Sequence, residues 1–67
     1  MLALLRAEDR KRNVVGIKEI DFDNKKQRMM QAKVFGRNVG AFKVYISWAT
    51  GMEIYTPSEH CFERINR

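Results

Sequence analysis

Hydrophobic and polar residues alternate most regularly in the segment AFKVYISW, residues 41–48. One parity holds Phe42, Val44, Ile46 and Trp48, and the other holds Lys43, Tyr45 and Ser47. Aromatic and β-branched residues at period two predict a half-buried strand. The following ATG predicts a three-residue hairpin loop, because Gly51 tolerates the left-handed conformation with which such a loop ends. In that register the returning strand, residues 52–55, places Met52 and Ile54 on the inner face.

Two element types fit residues 24–35. A helix is favoured by the good helix formers from Lys25 to Lys33, with Asp23 as a cap and Gly36 as a stop. A strand is favoured by alternation at period two, with DNKK as the turn before it. The alternating sets are Met30, Ala32 and Val34 against Gln31, Lys33 and Phe35. We prefer the strand, because helical spacing leaves Phe35 and Ala32 outside the apolar stripe.

The remaining segments complete the predicted fold. Residues 14–22 predict a first strand with a bulge near Gly16–Glu19, because the apolar parity changes between Ile17 and Ile20. GRNVG, residues 36–40, predicts a turn.

The C-terminal residues carry a helix signal. Thr56 and Glu59 match a capping box, and Pro57 suits the first helical position. Cys61, Phe62 and Ile65 recur at helical spacing and predict the buried stripe of this helix.

Together these elements predict an α+β fold: a small antiparallel three- to four-stranded meander with a C-terminal helix packed on one face. The 67 residues predict a single small domain, in which residues 1–13 are irregular, a short helix or a strand. In outline this layout resembles small sheet-plus-helix domains that bind single strands, and the residues identify no family.

One helix covers only one face of a sheet, so the predicted sheet has a second face available for contacts. The face toward the helix is predicted to hold Ile20, Phe22, Met30, Ala32, Val34, Phe42, Val44, Ile46, Trp48, Met52 and Ile54. The second face is predicted to hold Gln27, Met29, Gln31, Lys33, Phe35, Lys43, Tyr45, Ser47, Glu53 and Tyr55.

Composition narrows the function. Thirteen Lys and Arg residues against eight Asp and Glu residues give a formal charge of +5, which favours polyanionic partners. One cysteine and one histidine exclude an internal disulfide and leave no zinc ligand set, so we expect no metal and no cofactor. The single cysteine and the lack of a secretory signal pattern favour a cytoplasmic location. No apolar run approaches the roughly 18 to 20 residues of a membrane span, so no membrane partner is expected.

The second sheet face combines flat rings with cations, a composition that suits single-stranded RNA or DNA, because bases stack on rings and lysines contact phosphates. The sequence therefore predicts a small basic nucleic-acid-binding module. Its predicted binding residues are Lys33, Phe35, Lys43, Tyr45 and Tyr55 on the face, extended by Lys25, Lys26, Arg28 and Arg37 at the turns.

An alternative use of the same face is protein interaction, as an adaptor or inhibitor of another protein or as a homo-oligomer interface. Met29, Phe35, Tyr45 and Tyr55 would form its apolar centre. We predict that the protein is not an enzyme, because no carboxylate or nucleophile is spaced to work with His60. No small-molecule substrate is indicated.

Overall fold

Five antiparallel strands form one sheet, with a single helix on one face, in a computed structural model that describes residues 1–65. The strands are β1 (Leu2–Glu8), β2 (Val14–Asp21), β3 (Lys43–Trp48), β4 (Gly51–Thr56) and β5 (Cys61–Ile65), and the helix is α1 (Lys25–Val39). The strand order is β2-β1-β3-β4-β5, and every neighbouring pair is antiparallel. The predicted meander of three to four strands with a C-terminal helix is therefore wrong in strand number and in helix position.

Helix α1 begins and ends with well-formed caps. The Asn24 side chain accepts a hydrogen bond from the Gln27 backbone N–H at 2.9 Å, and the Gln27 side chain accepts one from the Asp23 N–H at 2.8 Å. At the other end Gly40 takes a left-handed conformation, with φ of 65°. Its N–H donates to the Arg37 carbonyl, and the next N–H donates to the Gly36 carbonyl. The hydrogen bonds at the two ends of α1 satisfy backbone N–H and C=O groups that a helix end otherwise leaves free.

The strand predicted over residues 24–35 is wrong, because Lys25–Val39 form helix α1. The buried side of this helix includes a charged residue, which the hydrophobic pattern does not reveal. Arg28, Ala32 and Phe35 lie at successive turns and are buried against the sheet, and Val39 continues the stripe. Because Arg28 is charged, the apolar residues alone do not show the helical spacing of this stripe. Met30 and Val34, predicted to be in the core, point to solvent and are 56% and 52% exposed.

The helix approaches the sheet closely at Gly36, which lies inside α1 and does not end it. A Cβ atom on Gly36 would lie 2.9 Å from Cγ2 of Val44, so only glycine permits this approach. The core between the helix and the sheet contains Ala3, Leu5, Ala7, Ile20, Phe22, Ala32, Phe35, Val44, Ile46 and Tyr55.

The β3–β4 hairpin has a two-residue loop, which reverses the predicted faces of β4. Trp48 pairs with Gly51 across the loop, and the predicted register would pair it with Met52. A one-residue shift moves every side chain of a strand to the opposite face. Glu53 and Tyr55 therefore lie under the helix, whereas Met52 and Ile54 are half-buried on the opposite face. The Trp48 ring lies across Gly51, where an added Cβ would be 2.6 Å from the ring.

The C-terminal residues form a strand where a helix was predicted. Pro57–Glu59 make only a 3₁₀ turn, and the Thr56 side chain makes no capping bond. His60 then takes a left-handed conformation, with φ of 51°, and the chain reverses into β5. Phe62 stacks on Tyr55 across the strand pair, with ring centroids 4.5 Å apart. Cys61, predicted on a buried stripe, is exposed, and residues 66–67 of the predicted helix lie outside the described part of the chain.

The N-terminal residues supply an interior strand of the sheet. β1 lies between β2 and β3 and buries Ala3, Leu5 and Ala7, so of the three alternatives for residues 1–13 the strand holds for Leu2–Glu8. The irregular pairing in β2 falls at Val15, since Ala7 pairs with Gly16 and Glu8 with Val14. This is slightly N-terminal to the bulge predicted near Gly16–Glu19.

Candidate nucleic-acid interface

The excess positive charge of the chain lies on helix α1. The chain has 13 basic and 8 acidic residues, and the helix holds five of the basic residues and none of the acidic ones. The other 52 residues therefore carry eight of each sign, a balance of zero. The whole formal charge of +5 thus belongs to one 15-residue element.

Three of the five cations of α1 follow one solvent-facing line. Lys26, Met30, Lys33 and Arg37 have the spacing i, i+4, i+7, i+11, and we call them the basic stripe. Arg28, Ala32, Phe35 and Val39 repeat the same spacing two residues later. Two residues rotate about 200° around a helix of 3.6 residues per turn, so the basic stripe lies opposite the buried one. Its length from Lys26 to Arg37 is about 16 Å at about 1.5 Å per residue.

Beside the basic stripe, a groove runs between α1 and β5. The helix lies mainly over β1, β2 and β3, and this leaves the helix side of β5 uncovered. The α1–β5 groove is lined by Lys25, Arg28, Met29, Lys33, Glu53, His60, Phe62 and Arg64. The Lys33 ammonium lies 5.9 Å from the Phe62 ring centroid, and the Arg64 guanidinium lies 5.5 Å from the Trp48 ring. Three exposed cations, Lys25, Lys33 and Arg64, thus line the same groove as the half-buried ring of Phe62.

An ion pair between Arg28 and Glu53 lies at the floor of the groove. Both side chains are more than nine-tenths buried, and Nη2 of Arg28 donates a hydrogen bond to Oε1 of Glu53. The guanidinium also lies 4.0 Å from the Trp48 ring centroid. Arg28 was predicted to extend an exposed basic track, and this placement is corrected, since its charge is committed inside the protein.

The nine predicted binding residues do not share one face. Lys25, Lys26, Lys33 and Arg37 lie exposed on α1. Lys43 and Tyr45 are half-buried on the opposite sheet face, which we call the open face. Arg28, Phe35 and Tyr55 are buried. Two of the three rings predicted to stack on bases are therefore enclosed in the core, because residue 35 lies on a helix and β4 has the other register.

The open face differs in charge from the helix side. Among its described residues it carries two cations, Arg6 and Lys43. Four acidic residues, Glu8, Glu19, Asp21 and Glu63, share the same face. The Arg6 guanidinium lies 4.8 Å from the Tyr45 ring centroid and forms an ion pair with Glu8. The cations of this face are thus outnumbered, which opposes phosphate binding there.

The groove residues absent from the predicted binding set include Phe62 and Arg64. Both were assigned to a C-terminal helix because the Thr56–Glu59 pattern matched a capping box. The hydrophobic pattern of CFERI gives no strand signal, since both parities mix apolar and charged residues, and the placement of Phe62 and Arg64 depends on the pairing of β5 with β4.

A second basic segment, Arg10, Lys11 and Arg12, lies in the β1–β2 loop. Asp9 orders this loop by accepting hydrogen bonds from the backbone N–H groups of Lys11 and Asn13, at 2.8 and 2.9 Å. These bonds, above all the one from Asn13, lower the pKa of the Asp9 carboxyl below its usual value. Through these hydrogen bonds Asp9 holds Arg10, Lys11 and Arg12 on a defined turn.

Within residues 1–65, no group of three or more His, Cys, Asp or Glu side chains is placed to hold a metal ion. In the same part of the chain, no helix has the length and apolar character needed to cross a bilayer. No protein-family model, curated protein or solved structure matches this chain.

Proposed function

We propose that this protein binds nucleic acid through the basic stripe and the adjoining α1–β5 groove. The observation that carries the proposal is the confinement of the entire excess positive charge to α1, with three of its four exposed cations on one line. A polyanion with regularly spaced charges is the partner that such a line fits. The proposed function is the one predicted from the sequence, but the proposed binding surface lies on the helix side of the protein and not on the open face of the sheet.

The position of the first lysines supports a binding role. Lys25 and Lys26 occupy the first helical turn, which holds no acidic residue. Cations at a helix N-terminus oppose the helix dipole and cost about 0.3 to 1 kcal/mol each. An anionic partner bound at Lys25 and Lys26 would offset this cost.

The dimensions of the stripe also suit a phosphate backbone. Its length of about 16 Å faces about five phosphates at about 3.4 Å of axial rise per nucleotide of one strand. With Lys25 and Arg64 beside it, the surface presents five exposed cations. We therefore expect the logarithm of the binding constant to fall with the logarithm of salt concentration, with a slope of about −3 to −4.

Fluorescence anisotropy with labelled oligonucleotides over a salt series tests the proposal. The variant K26Q/K33Q/R37Q removes three charges from α1, and R10Q/K11Q/R12Q removes three from the β1–β2 loop as a matched control. We expect the helix variant to bind at least about tenfold more weakly and its salt slope to be smaller by about two units. The salt slope of the control should decrease by less than about one unit. Equal losses in both variants, or no binding by the wild type at low salt, would refute the proposal.

A second candidate function is protein interaction through the open face, and a cluster of exposed apolar side chains favours it. Leu2, Leu4, Val14, Val15 and Ile17 are 43% to 62% exposed on the β1–β2 hairpin. Contiguous exposed apolar surface is typical of association sites. The occupant we consider is a second copy of this chain, which measurement of molar mass against concentration tests.

A cytoplasmic location belongs to the same proposal. The exposed thiol of Cys61 is the only thiol in the sequence, and it supports a reducing compartment. The proposed function involves no catalytic step, metal or cofactor.

A further inference from the structure

The α1–β5 groove contains the parts needed to hold one unpaired base. Phe62 offers a ring at its wall, backed on one side by Tyr55 at 4.5 Å between ring centroids. A ring that is backed by another ring is held rigidly, and a rigid ring loses little conformational freedom when a base stacks on it. Lys25, Lys33 and Arg64 line the same groove and could contact the phosphates flanking a bound base.

We propose that the α1–β5 groove is a nucleotide pocket for single-stranded nucleic acid, in which a base stacks on the face of the Phe62 ring that Tyr55 leaves free. This inference rests on the proposed function and specifies its ligand. In a duplex the bases are paired and stacked on each other, so only the phosphate contacts of the basic stripe are available. The pocket therefore makes the protein prefer single strands, through a ring that lies on the opposite side of the sheet from Tyr45.

Anisotropy with dC, dA and dT oligonucleotides and with a duplex of equal length tests the pocket. The variant F62L removes the stacking ring and keeps an apolar side chain of similar length. We expect it to weaken binding to the dC oligonucleotide about tenfold, the size of one lost base stack, and to change duplex binding less than twofold. Duplex binding also reports whether the variant is folded. The matched control is Y45L, which removes a ring from the open face and is expected to leave all affinities unchanged.

Each outcome decides between this inference and the broader proposal. Single-strand binding that F62L weakens while duplex binding persists supports the pocket. If the wild type binds both forms equally, or if Y45L and not F62L weakens single-strand binding, the pocket is refuted and nucleic-acid binding stands. If the wild type binds neither form, both proposals fail.

Discussion

The two sides of the sheet present opposite surfaces, although both are built from ordinary mixtures of residue types. The helix side carries the whole excess positive charge, and the open face carries exposed apolar side chains and more acidic than basic residues. The difference arises because the basic helix α1 lies on one side of the sheet. Alternate side chains of each strand point to opposite faces, which divides the strand residues between the two sides. A net charge of +5 therefore indicates which partner to expect, whereas its placement indicates where that partner binds.

The same side-chain chemistry also has different consequences on the two sides. Arg28 and Arg6 each pair with a glutamate and each lie near an aromatic ring. The side chain of Arg28 is 9% exposed and that of Arg6 is 47% exposed. Water screens the pair on the open face, whereas under the helix each charge depends on its partner.

The largest expected effect comes from breaking these two ion pairs in parallel. Arg28→Met leaves Glu53 buried without its partner and should lower the free energy of unfolding by about 3 to 5 kcal/mol. Arg6→Met should lower it by less than about 1 kcal/mol. Urea unfolding followed by Trp48 fluorescence measures both values. The double variant Arg28→Met/Glu53→Leu should recover most of the loss, and equal losses for the two single variants would contradict the comparison.

Two adjacent leucines of β1 give a second comparison of the same kind. Leu5 is 0% exposed under the helix, whereas Leu4 is 47% exposed on the open face. Leu5→Ala should cost about 2 to 5 kcal/mol, because it removes buried contacts and leaves a cavity. Leu4→Ala should change stability by less than about 1 kcal/mol. Thermal unfolding of both variants provides the measurement, and a loss at Leu4 as large as that at Leu5 would show that the open face is covered in solution.

The smallest expected effect on folding, and a direct test of the open face, comes from charging one exposed apolar residue on each side. Ile17→Lys on β2 should reduce self-association and bring the molar mass toward 7.9 kDa, because a cation would be placed in the apolar patch. Val34→Lys on α1 is the matched control and should leave association unchanged. Light scattering after size-exclusion chromatography over a concentration series reports both. A wild type that is monomeric throughout the series would rule out a second copy at the open face.

An element that depends on a local residue pattern could be predicted from the sequence, whereas one that depends on contacts between distant residues could not. The strand predicted over residues 41–48 is present as Lys43–Trp48, because its alternation is a local property of six to eight residues. The turn predicted at GRNVG, residues 36–40, is wrong for its first four residues, since α1 continues to Val39 and Gly40 ends the helix. Nothing local distinguishes these two glycines, because Gly36 is required by contact with Val44 on a distant strand.

The predicted binding residues divide in the same way. The cations of α1 were identified because charge is visible in the sequence, and four of them are exposed. Phe35 and Tyr55 were assigned to the surface because the element type of one and the register of the other depend on contacts between distant residues. Phe62 and Arg64 were missed because a local capping pattern outweighed pairing with β4, which adds a fifth strand.

The sequence by itself determined the alternation of β3, the basic character of residues 25–37 and the absence of a disulfide framework, since these depend only on which residues are neighbours along the chain. Only the tertiary structure decided the central place of β1, the burial of Arg28 against Glu53 and the side of the sheet on which the cations lie. These features depend on hydrogen bonding and burial between segments far apart in sequence. The energy of such contacts exceeds the local preferences on which a sequence pattern reports.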